Sequence, residues 1–185
     1  MNLEVKQENH KSISFFIPAY NCERTIEESI LSIINENLIE GDEIVIVNDC
    51  STDNTKDIIT KLQNKYPYIK CINHNRNKGG AAARNTAIEN CKNELLFCLD
   101  SDNVLEENSI SRLKESLINH NADVASFQEL HYFVDYIENI THKWTFQKNE
   151  YNLVDCLSTI KFPGASGNYM FTKKSWEKAG GYPEF

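Results

Sequence analysis

Two aspartates, one residue apart, end an apolar run in the sequence. Residues 95–99 are all apolar, and Asp100, Ser101 and Asp102 follow them directly. A continuous apolar run is typical of a strand buried on both faces, which does not tolerate carboxylates. We therefore place the carboxylates at the strand's exit, where open α/β sheets bind ligands and where two acidic side chains suit a hard divalent cation. The alternative is a simple turn, because Asp-Ser-Asp-Asn is also favourable turn and helix-capping chemistry.

Two earlier strand candidates also end in polar loops. Residues 12–17 form the first candidate, which we expect to end at Pro18 because proline cannot donate to a sheet ladder, and residues 44–47 form the second. The loop after the first contains Pro18, Ala19, Tyr20 and Asn21, and the loop after the second contains Asp49 within residues 48–53. Because the carboxyl ends of parallel strands share one edge of a sheet, we expect all three loops to converge on one crevice.

Strands alternate with helices along much of the chain. Apolar residues recur at helical spacing in segments 25–34, 54–66 and 106–119, and the alanine-rich segment 79–88 also favours a helix. Further strand candidates are 68–72, 124–127 and 169–172. This alternation predicts right-handed βαβ crossovers in an α/β fold, with a central, mostly parallel sheet flanked by helices. Residues 128–150 lack a clear period, which favours strands or an irregular excursion over a long helix. The remaining predictions are a short helix over 153–160, a glycine-rich loop over 162–168, and a helical turn over 174–179 that ends at Gly180.

Composition limits the class of protein. The chain has 185 residues, of which 41% are apolar and 25% charged, which fits one globular domain preceded by a polar extension over residues 1–11. The formal net charge of −8 argues against nucleic acid or an anionic membrane surface as a partner. No apolar run approaches the roughly 18 residues that a membrane span requires, and the N-terminus lacks a signal peptide's apolar core. We expect a cytoplasmic protein, with membrane association only through regions outside this chain.

The cysteines do not form a metal-binding pattern. The six are Cys22, Cys50, Cys71, Cys91, Cys98 and Cys156. No two of them stand in a Cys-x-x-Cys pair and no paired histidines accompany them, so zinc is not expected. Since one lies inside the apolar run at 95–99, where a thiol behaves as a small hydrophobe, we expect free structural thiols.

The residues in the predicted crevice suit a nucleotide with a diphosphate. Tyr20 can stack on a base, Asp49 can accept a hydrogen bond from a base N–H, and Asp100 can accept from ribose hydroxyls. Asp102 is then left for a metal ion on the diphosphate. Each residue also has a plain structural interpretation: Tyr20 can simply pack, Asp49 can cap the helix after it, and Arg84 can be a surface or ion-paired helix residue.

The sequence resembles glycosyltransferase family 2 at four ordered motifs. They occupy residues 17–21, 47–53, 77–85 and 99–102, and residues 180–184 resemble the family's Gly-Gly-aromatic-x-Glu segment. The resemblance implies a GT-A fold over residues 12–185. It also implies an inverting transfer of a sugar from a nucleotide-sugar donor, UDP-linked, to a hydroxyl of a glycan, a lipid-linked acceptor or a protein.

The resemblance assigns roles residue by residue. It places Pro18, Ala19, Tyr20, Asn21, Asp49, Arg84, Asp100 and Ser101 at the nucleotide. It makes Asp102 the ligand of Mn²⁺ or Mg²⁺ on the diphosphate, with Asp100 as a second candidate ligand. In the family the catalytic base follows the Gly-Gly-aromatic-x-Glu segment in an acidic pair. The sequence ends at Phe185, so we expect a truncated chain without that base, and Glu184 matches the segment's own glutamate instead.

Two departures and two alternatives remain at the level of sequence. Asn48 and Asn103 stand where many family members carry aspartate, and neither change removes a residue that the assignments need. A nucleotide-sugar-binding module without catalysis is one alternative to an enzyme. A sugar nucleotidyltransferase is another, but it would need a glycine-rich, basic loop where this chain has residues 18–23. Residues 166–168 either border the sugar and acceptor pocket or are a plain connection.

Overall fold

The computed structural model describes residues 11–133, 140–146, 148, 150–152, 154–155 and 168–184. Its elements, in chain order, are β1 Ile13–Ala19, α1 Ile26–Ile34, β2 Glu43–Asn48, α2 Thr55–Lys65, β3 Ile69–Asn73, α3 Gly80–Glu89, β4 Leu95–Cys98, α4 Ser109–Asn119, β5 Val124–Ser126, β6 Glu129–Phe133, β7 Ile140–Thr145, β8 Tyr169–Thr172 and α5 Lys173–Ala179. The predicted alternation of strands and helices is confirmed, with boundaries shifted by a few residues.

The central sheet has six strands in the order β3-β2-β1-β4-β8-β5. β1 pairs in parallel with both β2 and β4, and β2 pairs in parallel with β3. β8 is antiparallel to β4. Every residue of β2 and β4 is buried, as expected for parallel strands covered on both faces. The predicted mostly parallel sheet is therefore confirmed, and its carboxyl edge receives the loops after β1, β2 and β4.

The expectation that the first strand ends at Pro18 is wrong, because β1 continues to Ala19. The Phe16 carbonyl accepts the Leu99 N–H, whereas the Ala19 carbonyl accepts the Asp49 N–H, so alternate residues of β1 face β4 and β2. Pro18 shares the β4-facing side with Phe16, and β4 has already ended at that level. The missing N–H of proline therefore costs no ladder bond.

Aromatic and aliphatic side chains hold the sheet and helices together. Phe16 and Phe171 pack edge to face with ring centroids 6.0 Å apart, and Phe15 lies 5.9 Å from Phe97. All four are buried, and complete burial of such a side chain stabilises a fold by roughly 1.5–3 kcal/mol. Because these residues belong to β1, β4 and β8, their packing fixes the strands whose ends carry the polar loops.

The chain divides into two compact units. The larger contains the described residues up to Ala125 and those from Asn168 onward, and the smaller spans Ser126–Gly167. In the smaller unit β6 and β7 form an antiparallel pair, which confirms strands rather than a long helix there. Most of the predicted short helix over 153–160 and of the loop over 162–168 lies outside the described residues.

Three smaller expectations concern the last helix, the thiols and membrane spans. The last helix, α5, ends at Gly180, which has the left-handed backbone that glycine favours (φ 82°). The described cysteines are free thiols, as predicted: Cys22, Cys50, Cys71, Cys91 and Cys98. Within the described part of the chain, no helix combines the length and apolar character needed to cross a bilayer.

Candidate functional site

A cleft of about 870 Å³ opens at the carboxyl ends of β1, β2 and β4. The predicted site residues that line it are Pro18, Tyr20, Asn21, Asp49, Arg84, Asp100, Ser101 and Asp102. Ala19 does not line the cleft; it is 1% exposed, and its carbonyl accepts the Asp49 N–H at 2.8 Å. The structure therefore brings together side chains that lie up to 84 positions apart in the sequence, from Pro18 to Asp102.

The cleft also contains residues that the sequence did not assign to the site individually. These are Cys22, Glu23, Arg24, Thr25, Asp53, Asn77, Gly79, Gly80 and Ala83. The first four follow the motif at 17–21 directly, and the other five belong to the motifs at 47–53 and 77–85. Cys22 is unsuited to act as a thiol nucleophile, because burial raises its pKa and so disfavours the thiolate.

The loops after β1 and β2 are bonded to each other. The Asn21 side-chain oxygen accepts the Thr52 N–H at 2.8 Å, and the Asn21 N–H donates to the Ser51 hydroxyl at 3.0 Å. One step further, the Glu23 carboxylate accepts the Asn54 N–H at 2.8 Å. Asn21 has a left-handed backbone (φ 47°), which asparagine adopts more readily than most residues. These bonds fix the wall of the cleft that carries Tyr20, which is 49% exposed.

Asp49 is only 2% exposed and is held by three donors. His74 Nδ1 lies 2.6 Å from its Oδ1, the Lys78 N–H lies 2.9 and 3.1 Å from its two oxygens, and the Gly79 N–H lies 2.8 Å from Oδ2. It does not cap the helix after it, since Asp53 accepts the first N–H of α2. A carboxylate has about four lone-pair positions, and the three donors make four contacts, two to each oxygen, because the Lys78 N–H is shared between both. One further donor would therefore have to replace one half of the shared Lys78 contact.

His74 was missed by the sequence analysis. It follows β3 directly, and β3 is the strand next to β2, so its position at the same sheet edge was the signal that could have found it. Its N–H bonds to the Asn48 carbonyl at 3.0 Å, and its Nε2 lies 3.0 Å from the Thr86 hydroxyl. The imidazole therefore bridges α3 and the end of β2.

Arg84 and Asp100 form an ion pair across the cleft floor. Arg84 Nη2 lies 2.6 Å from Asp100 Oδ1, and the two side chains are 24% and 26% exposed. Burial works against the Arg84 charge, but the neighbouring Cys98 and Asp100 outweigh it and raise the pKa of Arg84. The Tyr182 ring covers the guanidinium, with its centroid 5.8 Å from Cζ. The interpretation of Arg84 as an ion-paired helix residue is thus correct, and its partner belongs to the cleft.

Asp102 lies in a turn, and two hydroxyl groups, one on α1 and one just before it, bond to the carbonyl group of the residue before Asp102. The Ser101 carbonyl accepts from Thr25 Oγ1 at 2.8 Å and from Ser29 Oγ at 2.9 Å. The Asn103 N–H closes the turn onto the Asp100 carbonyl at 3.0 Å. The Asp102 side chain is exposed in the cleft, and its carboxylate has no hydrogen bond or ion pair with the described residues.

The donor set fits a metal ion that is shared with a diphosphate. Among the described residues no group of three or more His, Cys, Asp or Glu side chains could hold a metal by itself. Asp102 and Asp100 are two carboxylates on one turn, and Mg²⁺ is commonly bound by one or two carboxylates together with substrate phosphates. The structure therefore offers part of a coordination sphere, which phosphate oxygens would have to complete.

Residues from the end of the chain pack beside this turn and α3. The Asn168 side-chain oxygen accepts the Asp100 N–H at 3.3 Å, whereas Ser166 and Gly167 lie outside the described residues. The Asn85 side chain accepts the Tyr182 N–H at 2.9 Å and donates to the Tyr182 carbonyl at 2.9 Å and to Glu184 at 2.7 Å. The predicted Gly-Gly-aromatic-x-Glu segment therefore contacts the helix that carries Arg84.

The fold is similar to that of solved GT-A glycosyltransferases. S. aureus TarS 1-349 in complex with UDP-GlcNAc matches with a TM-score of 0.72 over 94% of this chain and 49% of that chain, at 22% sequence identity. The mannosyltransferase PcManGT from Pyrobaculum calidifontis, solved with GDP-Man and Mn²⁺, matches with a TM-score of 0.68 over 97% and 53%, at 18% identity. The predicted GT-A fold is confirmed.

The sequence comparisons identify the family. The model of glycosyl transferase family 2 matches residues 14–180, so the chain belongs to that family. It is 38% identical over 106 residues to a chondroitin synthase of Pasteurella multocida (57% of this chain, 11% of that protein). It is 39% identical over 99 residues to the E. coli glucosyltransferase WfaP, named as acting on UDP-Glc and GlcNAc-diphosphoundecaprenol (54% and 38%). The chain thus spans less than half the length of these relatives.

Proposed function

We propose that the cleft binds a UDP-sugar and that the chain serves an inverting, metal-dependent transfer of the sugar to an acceptor hydroxyl. The observation that carries this proposal is the presence, in one cleft, of a buried carboxylate held by an imidazole and backbone N–H groups and of an exposed carboxylate without a partner among the described residues. The first is Asp49 and the second is Asp102. A base N–H suits the first, and a cation on a diphosphate suits the second.

The base end of the cleft favours uracil over guanine. Uracil presents one N–H between two carbonyl groups, whereas guanine presents two adjacent N–H groups to a carboxylate. Asp49 could take one further donor in place of one half of the shared Lys78 contact, but not two, since His74 and two backbone N–H groups already contact both oxygens. The half-exposed ring of Tyr20 can stack on the base. UDP-linked donors in the names of WfaP and of the TarS complex support this choice by similarity.

The diphosphate end of the cleft provides the site for the leaving group. Asp102, with Asp100 beside it, would hold Mn²⁺ or Mg²⁺, and the ion when bound would stabilise the charge that develops on the departing nucleotide. Arg84 orients Asp100 through their 2.6 Å ion pair. In an inverting transfer the acceptor oxygen attacks the anomeric carbon opposite the nucleotide while a carboxylate base takes its proton. We assign that base to none of the described residues.

The acceptor and the compartment also belong to the proposal. By similarity to the named relatives, the acceptor is a hydroxyl of a glycan or of a lipid-linked sugar. Five free cysteines among the described residues are in keeping with a reducing, cytoplasmic setting. Membrane association would then depend on regions outside this sequence.

Calorimetric titration of the purified chain with UDP and GDP tests the nucleotide assignment. We expect UDP to bind on the order of tenfold or more tightly than GDP, the equivalent of about 1.4 kcal/mol. Asp49→Ala should remove this preference, while Asp57→Asn, on the exposed face of α2, should keep it. Equal affinities for UDP and GDP, or a preference that survives Asp49→Ala, would refute the assignment. Transfer from UDP-sugars to glycan acceptors then separates an enzyme from a binding module.

A further inference from the structure

His74 is a buried polar residue whose two ring nitrogens contact different elements. Nδ1 lies 2.6 Å from Asp49 Oδ1, and Nε2 lies 3.0 Å from Thr86 Oγ1 on α3. The His74 and Asp49 side chains are 4% and 3% exposed, so water does not compete for the bond between them. Since an ionised carboxylate only accepts hydrogen bonds, Nδ1 carries the proton. His74 itself does not line the cleft.

The three donors on Asp49 come from different parts of the chain, and they define its orientation. The Lys78 and Gly79 N–H groups lie in the loop that begins α3, and they approach both oxygens from that side. His74 approaches Oδ1 from the end of β3. Without the imidazole N–H, the buried Asp49 carboxylate would lose a charge-assisted hydrogen bond. Only the backbone N–H groups would then limit the rotation of the carboxylate about the Cβ–Cγ bond.

We propose that His74 is a positioning residue for nucleotide selection: its Nδ1–H holds the Asp49 carboxylate so that one acceptor position faces the cleft for the N–H of a uracil base. This inference rests on the proposed function, because it assumes that Asp49 receives the base. His74 itself touches no ligand in this proposal. Only one of its two ring nitrogens, Nδ1, positions Asp49. The contact between Nε2 and Thr86 then serves only to hold the ring.

Two amide substitutions separate the roles of the two nitrogens. In His74→Asn the side-chain NH₂ takes the place of Nδ1 and can donate to Asp49, whereas in His74→Gln the longer amide takes the place of Nε2 and reaches Thr86. The probes are UDP and UDP methylated at the uracil N3, which cannot donate. The ratio of their affinities, measured by calorimetry on the full chain, reports the loss of the base N–H together with the bulk of the methyl group, and that bulk is the same in every variant.

We expect the wild type and His74→Asn to prefer UDP over N3-methyl-UDP by on the order of tenfold. His74→Gln should lower this ratio about tenfold, with the affinity for N3-methyl-UDP unchanged. A merely structural role for His74 would weaken both ligands equally, so an unchanged ratio in His74→Gln would overturn the inference. A ratio lost equally in both variants would overturn it as well, since the assignment to Nδ1 would be wrong.

The same measurements separate a failure of the role of His74 from a failure of the proposed function. If the wild type binds UDP and N3-methyl-UDP equally, Asp49 does not receive the base N–H, and both the uracil assignment and the role of His74 fail together. If the wild type discriminates and Asp49→Ala abolishes the discrimination, the proposed function stands whatever His74→Gln shows. Thr86→Val provides the remaining control: it removes the partner of Nε2, and the ratio should stay at its wild-type value.

Discussion

Asp100 and Asp102 lie two residues apart on one turn, and we predict that Asn substitutions at the two positions affect different properties of the protein. Asp100 is engaged by Arg84 at 2.6 Å with about a quarter of each side chain exposed, whereas Asp102 is exposed and unpartnered among the described residues. Asp100→Asn should therefore reduce stability, and Asp102→Asn should reduce metal-dependent binding of UDP. On this turn, Asp102 would thus be the main cation ligand, while Asp100 beside it also stabilises the fold through Arg84.

The expected magnitudes follow from exposure and partners. Exposed ion pairs contribute roughly 0–1 kcal/mol and hydrogen bonds to charged groups roughly 1.5–3 kcal/mol, so the partly buried Arg84–Asp100 pair is worth about 1–2 kcal/mol. In a chain of this length, 1 kcal/mol corresponds to about 2–4 °C in Tm. Asp100→Asn should then lower Tm by about 2–8 °C. Asp102→Asn should change the free energy of unfolding by no more than about 0.5 kcal/mol.

Thermal unfolding without ligand and UDP calorimetry with and without Mn²⁺ measure the two effects. In the wild type, Mn²⁺ should strengthen UDP binding by on the order of tenfold, the equivalent of one charge-assisted contact. Asp102→Asn should remove that increment and leave binding in EDTA unchanged. The reasoning is refuted if Asp102→Asn destabilises the fold as much as Asp100→Asn does, or if the Mn²⁺ increment persists without the Asp102 carboxylate.

Two further predictions concern the backbone and the thiols around the cleft. Gly79 has φ +87°, and the space that a Cβ would occupy there is open. Gly79→Ala should therefore cost about 1–2 kcal/mol of backbone strain and lower Tm by about 2–8 °C, and an unchanged Tm would contradict the expectation. Burial raises the pKa of Cys91 and of Cys98 to about 12, so at mildly alkaline pH both thiols are protonated and should resist alkylation until the chain unfolds. Peptide mapping after labelling checks this, and modification of either thiol in the native protein would argue against it.

The sequence predicted the edge of the sheet at which the cleft lies, because three apolar runs each stop at polar residues and parallel strands bring those stops together. All of the site residues that it named line the cleft except Ala19, but the cleft also contains residues that it did not name. The misplaced strand end at Pro18 has a topological cause. Whether a proline costs a ladder bond depends on the length of the neighbouring strand on that side, and nothing near Pro18 in the sequence specifies where β4 ends.

The contacts that hold the site could not be predicted in the same way. Asp49 and His74 are 25 residues apart, and Asn85 and Tyr182 are 97 residues apart. Their pairing depends on the register of strands and on the turn of α3, not on local pattern. Asn48 shows the same limit: its amide donates to Asn73 at 2.8 Å and its oxygen accepts the Ser51 N–H at 3.1 Å. The departure from aspartate at this position therefore has a structural role.

The two sequence-based interpretations of Asp-Ser-Asp are compatible in the structure. The residues do form a turn, closed by the Asn103 N–H, and its central carbonyl is fixed by the hydroxyls of Thr25 and Ser29. A turn held from outside by two hydroxyls needs neither of its own carboxylates for support. Asp100 is therefore available to Arg84, and Asp102 is left exposed in the cleft. A cation that binds there would meet a carboxylate on a fixed turn, without first breaking an ion pair.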